Sequence, residues 1–211
     1  MTADHPTVFV VDDDARVRTA VADLLAAAGH RVSVFASATQ YLEAETPDAP
    51  GCLVLDLELP DMHGLDLQRG LTDRGGPPIV FITGHGDVPS SVRAMKAGAV
   101  EFLLKPFGDR ELLAAVEDAI GRDRDARARR AAADEVRRRH ARLTRREREV
   151  LSYVVCGFAN KHTAAELGTS EITIGVHRGQ VMRKMGAHSL AELIRFADTL
   201  GIRAPAPRVT E

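Results

Sequence analysis

The stretch CLVLDLELPDMHG, residues 52–64, decides the fold. Residues 52–55 are apolar, and Asp56 then sets a carboxylate where the run should still be burying side chains; Pro60 and Gly64 follow. A short unbroken apolar run bounded by turn residues reads as a strand covered on both faces. The acid alone is ambiguous, because strand ends often carry an Asp that caps a helix or shapes a turn. Its meaning depends on what stands beside it.

Outward from this run, residues 7–120 alternate short apolar stretches with helical patterns. TVFVV (7–11) is strand-like, and Val17, Val21, Leu24, Leu25 and Ala28 then repeat at helical spacing until Gly29. RVSVF (31–35) alternates as a second strand, and SATQ from Ser37 has the form of a capping box opening a short helix. The third strand ends at Asp56 and a helix follows Gly64; PIVFIT (78–83) is the fourth strand, with VPSSVRAMKAGA (88–99) as its helix. EFLLK (101–105) is the fifth strand, with a helix from Asp109. Five βα units in series predict a doubly wound, five-stranded parallel sheet with helices on both faces, an α/β fold of the flavodoxin-like kind.

In such a sheet the functional crevice lies outside the carboxyl ends of the strands. Those ends carry Asp12 and Asp13 after the first strand, Asp56 at the third, Thr83 at the fourth and Lys105 at the fifth; Asp14 is assigned to capping the first helix. Three carboxylates gathered in one crevice repel unless a cation joins them, and a hard divalent ion with oxygen ligands, Mg²⁺ above all, suits that set. Lys105 offers a point charge for a phosphate oxygen, and Thr83 offers a hydroxyl donor. Metal, carboxylate nucleophile, lysine and hydroxyl are the parts phosphoryl transfer uses, where catalysis is mainly positioning and charge neutralisation. On this reading Asp56 is the phosphate acceptor.

The net charge of −2 conceals two unlike halves. Residues 1–120 hold nine Lys and Arg against nineteen Asp and Glu, a balance of −10, whereas residues 121–211 hold nineteen against eleven, or +8. A split of this kind suggests two modules with different partners, the basic one a candidate for nucleic acid. Of that excess, +5 lies in residues 121–142, GRDRDARARRAAADEVRRRHAR, rich in Arg and Ala with hardly a large apolar residue. This composition favours helix but supplies no core face, which predicts an exposed helical linker continuing the helix from Asp109, with a disordered tether as the second choice. No run approaches the length of a membrane span. MTADHPT carries neither the basic nor the apolar region of a secretory signal, so a cytoplasmic protein is expected. Cys52 and Cys156 are expected to be two small buried thiols in a reducing compartment.

VFVVDDD, CLVLDLELPDMHGLDL, PIVFITGHGD and AMKAGAVEFLLKPF closely resemble the receiver domain of bacterial two-component response regulators, over roughly residues 7–120. The resemblance implies that Asp56 accepts phosphate from a sensor histidine kinase. It also implies that Asp12, Asp13, Asp56 and the Glu58 carbonyl hold Mg²⁺, that Lys105 contacts the phosphate, and that Thr83 turns inward onto it together with Phe102. Lys105–Pro106 matches a peptide bond that is cis in the family. His85 of TGHGD has no second ligand at metal spacing and reads as a flexible loop residue. By the same resemblance the chain is no enzyme toward a separate substrate, catalysing only its own phosphorylation and slow dephosphorylation.

From Leu143 the pattern is helical throughout, with turns at Gly157, Gly168 and Gly186, and residues 205–211 read as a frayed tail. Val150, Leu151, Val154 and Val155 share a helix face; a second helix of about residues 161–167, a three-residue turn at Gly168 and a long helix of about 170–185 make a helix-turn-helix, whose second member enters the major groove. Residues 143–204 resemble the four-helix LuxR-type DNA-binding domain, and the whole chain is similar to NarL/FixJ-type regulators; linker length and TGHGDV are similar to the FixJ, StyR and TodT branch. Stepping 100° per residue puts Ile174, Val181 and Met185 on the buried side and Ile172, Gly175, Val176, Gly179 and Arg183 opposite. The family often carries Lys or another polar residue where this chain has Gly175 and Gly179. Ile172 and Val176 are expected to touch thymine methyls, and Lys161, Arg178, Arg183 and Lys184 to hold phosphates.

The resulting expectation is a receiver domain (1–120), a linker (121–142) and a DNA-binding domain (143–204), forming a transcription factor. Double-stranded promoter DNA, a sensor kinase and a second copy of the chain are its expected partners, with RNA polymerase a further candidate. Dimers fit a two-fold site, and the resemblance assigns their formation on phosphorylation to a surface of about residues 88–102. Two other readings compete. A phosphatase with Asp56 as nucleophile lacks an insertion to cap a substrate, and a phosphate-independent regulator leaves the acidic pocket without a purpose.

Overall fold

The computed structural model describes residues 5–72, 74–84 and 88–203, and it divides into two compact units, Met1–Arg127 and Ala128–Glu211. His85 and the expected tail at 205–211 lie outside the described residues.

In the first unit, strands β1 (Thr7–Val11), β2 (Arg31–Phe35), β3 (Gly51–Asp56), β4 (Ile79–Thr83) and β5 (Glu101–Leu104) form one parallel sheet in the order β2-β1-β3-β4-β5. Helices α1 (Ala15–Ala27), α2 (Ala38–Glu43), α3 (Gly64–Thr72), α4 (Val88–Lys96) and α5 (Asp109–Ala141) complete the βα series. Because side chains alternate across a strand, Val8, Val10, Val54, Val80 and Ile82 pack with Leu25 of α1 and Leu112 and Val116 of α5. Phe9, Val11, Leu53, Leu55 and Phe81 face the other way, onto Leu67 and Leu71 of α3 and Ala94 of α4. β1, β3 and β4 are buried throughout, which is why they read as unbroken apolar runs.

Local signals set the helix starts. Asp14 caps α1, accepting the N–H of Arg16 at 2.8 Å. Ser37 caps α2 by accepting the Gln40 N–H at 3.2 Å, but the expected box is open on its other side, since Gln40 Oε1 takes the N–H of Ala36 instead. Pro60 lies in the loop between β3 and α3, and Gly64 opens α3 where a Cβ would stand 2.7 Å from the Asp56 carbonyl oxygen.

The Arg/Ala segment is helical, as part of the 33-residue α5, but it is not solvated throughout. Asp123 is buried, accepting the Gly51 N–H at 2.9 Å and pairing with Arg127 at 2.8 Å. Further along, Val136 is buried in the core of the second unit.

That unit contains α6 (Arg145–Val155), α7 (Asn160–Leu167), α8 (Glu171–Met185) and α9 (Leu190–Leu200). Val150, Leu151, Val154, Ile174, Val181, Met185 and Leu193 form its centre. A capping box at Thr144 and Glu147 starts α6. α7 stops at Gly168 in the left-handed conformation, and Ser170 accepts the Thr173 N–H to start α8 after a turn of three residues. Cys52 is buried as expected, whereas Cys156 is exposed: it caps the C-terminus of α6, beyond the apolar stripe. No described helix is long and apolar enough to cross a membrane.

Candidate functional site

Asp12 follows β1, Asp56 ends β3, Thr83 ends β4 and Lys105 follows β5, so the sheet order delivers all of them to one edge. Ligand oxygens of Asp12, Asp13 and Asp56 lie within 4.8 Å of one another, Asp12 and Asp56 buried and Asp13 exposed. Lys105 Nζ donates to Asp12 Oδ2 at 2.6 Å and to Asp56 Oδ2 at 2.7 Å. The other oxygen of each buried carboxylate accepts a main-chain N–H, from Asp14 at 2.9 Å and from Glu58 at 3.2 Å. Both carboxylates are thereby fixed from two sides.

The charge balance remains acidic, with one ammonium facing three carboxylates. Burial pushes the Asp12 carboxyl above its ordinary range, against the opposing pull of Lys105 and the Asp14 N–H. Burial pulls the Lys105 ammonium down, but Asp12 and Asp56 outweigh it and hold it above its usual value. Three carboxylates with surplus negative charge form an all-oxygen donor set that fits a hard divalent cation.

Thr83 and Glu58 adjoin this cluster, and Phe102 lies near the start of β5. Thr83 is buried, and its carbonyl accepts the Lys105 N–H at 2.8 Å. Phe102 is half-buried beside Phe81, ring centroids 6.1 Å apart. Glu58 stands in the loop after β3, bridged to His63. The Lys105–Pro106 bond is cis. One participant was not anticipated: Arg18 of α1 donates to the carbonyls of Asp12 at 2.7 Å and Asp13 at 2.9 Å, holding the acidic turn by its backbone. Its only sequence signal is a cation one and a half turns after the acids.

In the second unit, α8 presents Ile172 and Val176 to solvent, 83% and 59% exposed, with exposed Gly179 and part-exposed Gly175 on the same face. Ile174, Val181 and Met185 are fully buried, as the 100° stepping predicts. Lys161 is exposed on α7; Arg178 reaches Asn160 at 3.4 Å, and Arg183 bonds to Gln180. Lys184, expected to hold a DNA phosphate, donates its ammonium to buried Glu147 at 2.7 Å, which joins α8 to α6. Arg139, read as a solvated linker residue, donates to the Met185 carbonyl at 3.1 Å, at the C-terminus of α8 where a cation is favourable.

Residues 8–117 match the family described as response regulator receiver domain, and residues 141–197 match the bacterial regulatory proteins of the luxR family. Nodulation protein W of Bradyrhizobium diazoefficiens is 48% identical over 93% of this chain and 87% of its own length. The transcriptional regulatory protein FixJ of Azorhizobium caulinodans is 45% identical over 96% of each chain. The solved structure of the response regulator StyR superposes with a TM-score of 0.81 at 46% identity, covering 92% of this chain and 98% of that one. On the matched domains and these full-length likenesses, the chain belongs to the two-component response regulators that join a receiver domain to a LuxR-type DNA-binding domain and regulate transcription.

Proposed function

We propose that Asp56 accepts a phosphoryl group from a sensor histidine kinase and that the acyl phosphate switches dimerisation and sequence-specific DNA binding. A carboxylate oxygen of Asp56 attacks phosphorus, the P–N bond to the kinase imidazole breaks, and that nitrogen keeps the electron pair and takes a proton. Lys105 neutralises an oxygen of the arriving group, and the Thr83 hydroxyl donates to another once the phosphate is in place, Phe102 turning inward with it. Asp12, Asp13, Asp56 and the Glu58 carbonyl are the groups that would hold Mg²⁺. When bound, the ion supplies charge neutralisation to the transferring oxygens. Water later hydrolyses the acyl phosphate, so the signal decays without turnover on a separate substrate.

The observation that carries this reading is the Lys105 ammonium bridging Asp12 and Asp56 at the carboxyl edge of the sheet. The exposed apolar residues Val88, Val92, Met95 and Leu104 on α4 and beside it supply the surface for a phosphorylation-dependent homodimer. α8 reads promoter DNA through Ile172, Gly175, Val176 and Gly179, while Lys161, Arg178 and Arg183 hold phosphates; RNA polymerase would be met at the promoter, in the cytoplasm. The receiver domain extends to about residue 120 and the DNA-binding domain from about 143 to 204, with the intervening α5 turns as linker. Acetyl phosphate and Mg²⁺ added to the wild type should raise the mass by one phosphoryl group, shift the chain toward dimers and tighten DNA binding. Asp56→Asn should do none of these, and a variant that still gains phosphate and switches would overturn the assignment.

A further inference from the structure

α8 carries two glycines that its own unit does not require. A Cβ added at Gly179 would meet nothing within 4 Å, and one at Gly175 only Asn160 Nδ2 at 3.9 Å. Neither has a positive φ, and both sit inside a helix, where glycine is less favourable than alanine. Neither packing nor backbone conformation therefore asks for glycine here. On the same face Ile172 and Val176 hold large apolar side chains in water, outside the core of the unit. Both features disfavour the free protein, and both are resolved by one occupant that fits flush against the strip 172, 175, 176, 179. The charge of the surroundings identifies it: Arg178 and Arg183 border the strip on α8, Lys161 is exposed on neighbouring α7, and residues 143–211 hold ten Lys and Arg against seven Asp and Glu, a balance of +3.

We infer that Gly175 and Gly179 are specificity-determining positions, which let the α8 backbone approach the floor of the major groove so that Ile172 and Val176 contact the 5-methyl groups of thymine. The inference rests on the DNA-binding reading above and gives it a mode. Discrimination comes from methyl contact and steric fit, not from bidentate hydrogen bonds, which neither glycine nor its apolar neighbours can make. The preferred half-site is one that presents thymine methyls to those two side chains.

The test uses the full chain treated with acetyl phosphate and Mg²⁺. Duplexes enriched from a random-sequence library are compared with the same duplexes synthesised with deoxyuridine for thymidine, and with a mixed-sequence duplex. Loss of two methyl contacts should weaken wild-type binding about tenfold on the deoxyuridine duplex, and Ile172→Ser/Val176→Ser should abolish that difference. Gly175→Ala/Gly179→Ala should melt at an equal or higher temperature yet bind the enriched duplex at least about tenfold more weakly, a larger loss than on the mixed-sequence duplex. A purely structural role would move stability and affinity in the same direction. Equal binding of thymidine and deoxyuridine duplexes, or undiminished binding by the alanine variant, overturns the inference and leaves DNA binding standing. A wild type that enriches no sequence but holds the mixed duplex also overturns it; one that binds no duplex at all removes both.

Discussion

Lys105 holds its ammonium 2.7 Å from Asp56, on the same oxygen face that it shares with Asp12 at 2.6 Å. An internal cation thus screens the two buried acids, and its removal should expose their repulsion. Lys105→Ala is expected to destabilise the chain by about 2–3 kcal/mol without divalent ions, with millimolar Mg²⁺ restoring much of the loss. Asp12→Asn should act in the opposite sense. Burial raises the Asp12 carboxyl, so between its ordinary 3.8 and the raised value the folded chain binds the proton more tightly than the unfolded chain, and stability falls as pH rises. Neutral Asn removes that loss and should abolish any gain from Mg²⁺. Thermal unfolding in EDTA and in Mg²⁺ distinguishes the two variants; parallel behaviour would contradict the screening role.

Arg18 acts on the acids only through their carbonyls, at 2.7 and 2.9 Å. Arg18→Ala should therefore weaken Mg²⁺ binding about 3- to 10-fold, although it removes a positive charge from an acidic site. Electrostatics alone predicts tighter binding. Titration of the metal, read by calorimetry, decides between positioning and charge, and Arg18→Lys should fall between the two proteins.

Gly64 permits α3 to start directly against the end of β3. A Cβ there would stand 2.7 Å from the Asp56 carbonyl oxygen, 3.0 Å from Phe81 Cε1 and 3.1 Å from Leu57 Cα. Two of these neighbours are backbone, so relief requires a shift of the strand end that bears the acceptor. Gly64→Ala should cost about 2–4 kcal/mol in urea unfolding and slow phosphorylation from acetyl phosphate.

Much of this site was legible because sheet topology does the assembling. Once five βα units are read, Asp12, Asp56, Thr83 and Lys105 must meet at one edge, however far apart they lie in sequence. The exposed strip of α8 was legible for a similar reason, since helical stepping alone separates Ile174 from Ile172. Contacts with no periodicity behind them were not. Asp123 meets Gly51 across 72 residues, from a segment whose Arg and Ala content signals a solvated helix. Lys184 meets Glu147 across 37 residues because α6 and α8 cross there, and the same lysine on an isolated helix reads as a phosphate contact.

The Asp123 carboxylate joins two groups at the buried start of β3, the Gly51 N–H and the Arg127 guanidinium, which also reaches exposed Asp48. Asp123→Ala leaves a buried N–H without its acceptor and should cost about 2–3 kcal/mol, with faster exchange of the Gly51 amide proton. Arg127→Ala, whose partner Asp48 is in water, should cost about 1 kcal/mol. Equal costs for the two would place the energy in the ion pair instead of the strand amide.

Glu147 accepts the Thr144 N–H and the Lys184 ammonium, both at 2.7 Å, on one buried oxygen. Burial pulls its carboxyl upward, but the bonds from Lys184 and Thr144 outweigh it and hold the group below its ordinary 4.5. A depressed folded value means stability that is present above pH 4.5 and lost as pH falls through the folded value. Glu147→Gln should cost about 2 kcal/mol near neutral pH and much less in acid, flattening that limb of the stability curve. The same pair separates two lysine roles on α8. Lys184→Met should lower the melting temperature and reduce DNA affinity only as far as folding is lost, whereas Arg183→Ala should leave melting unchanged and weaken enriched and mixed duplexes alike. Melting by circular dichroism beside DNA titration reads both, and a Lys184→Met chain that melts normally but has lost its DNA would return that ammonium to the phosphate backbone.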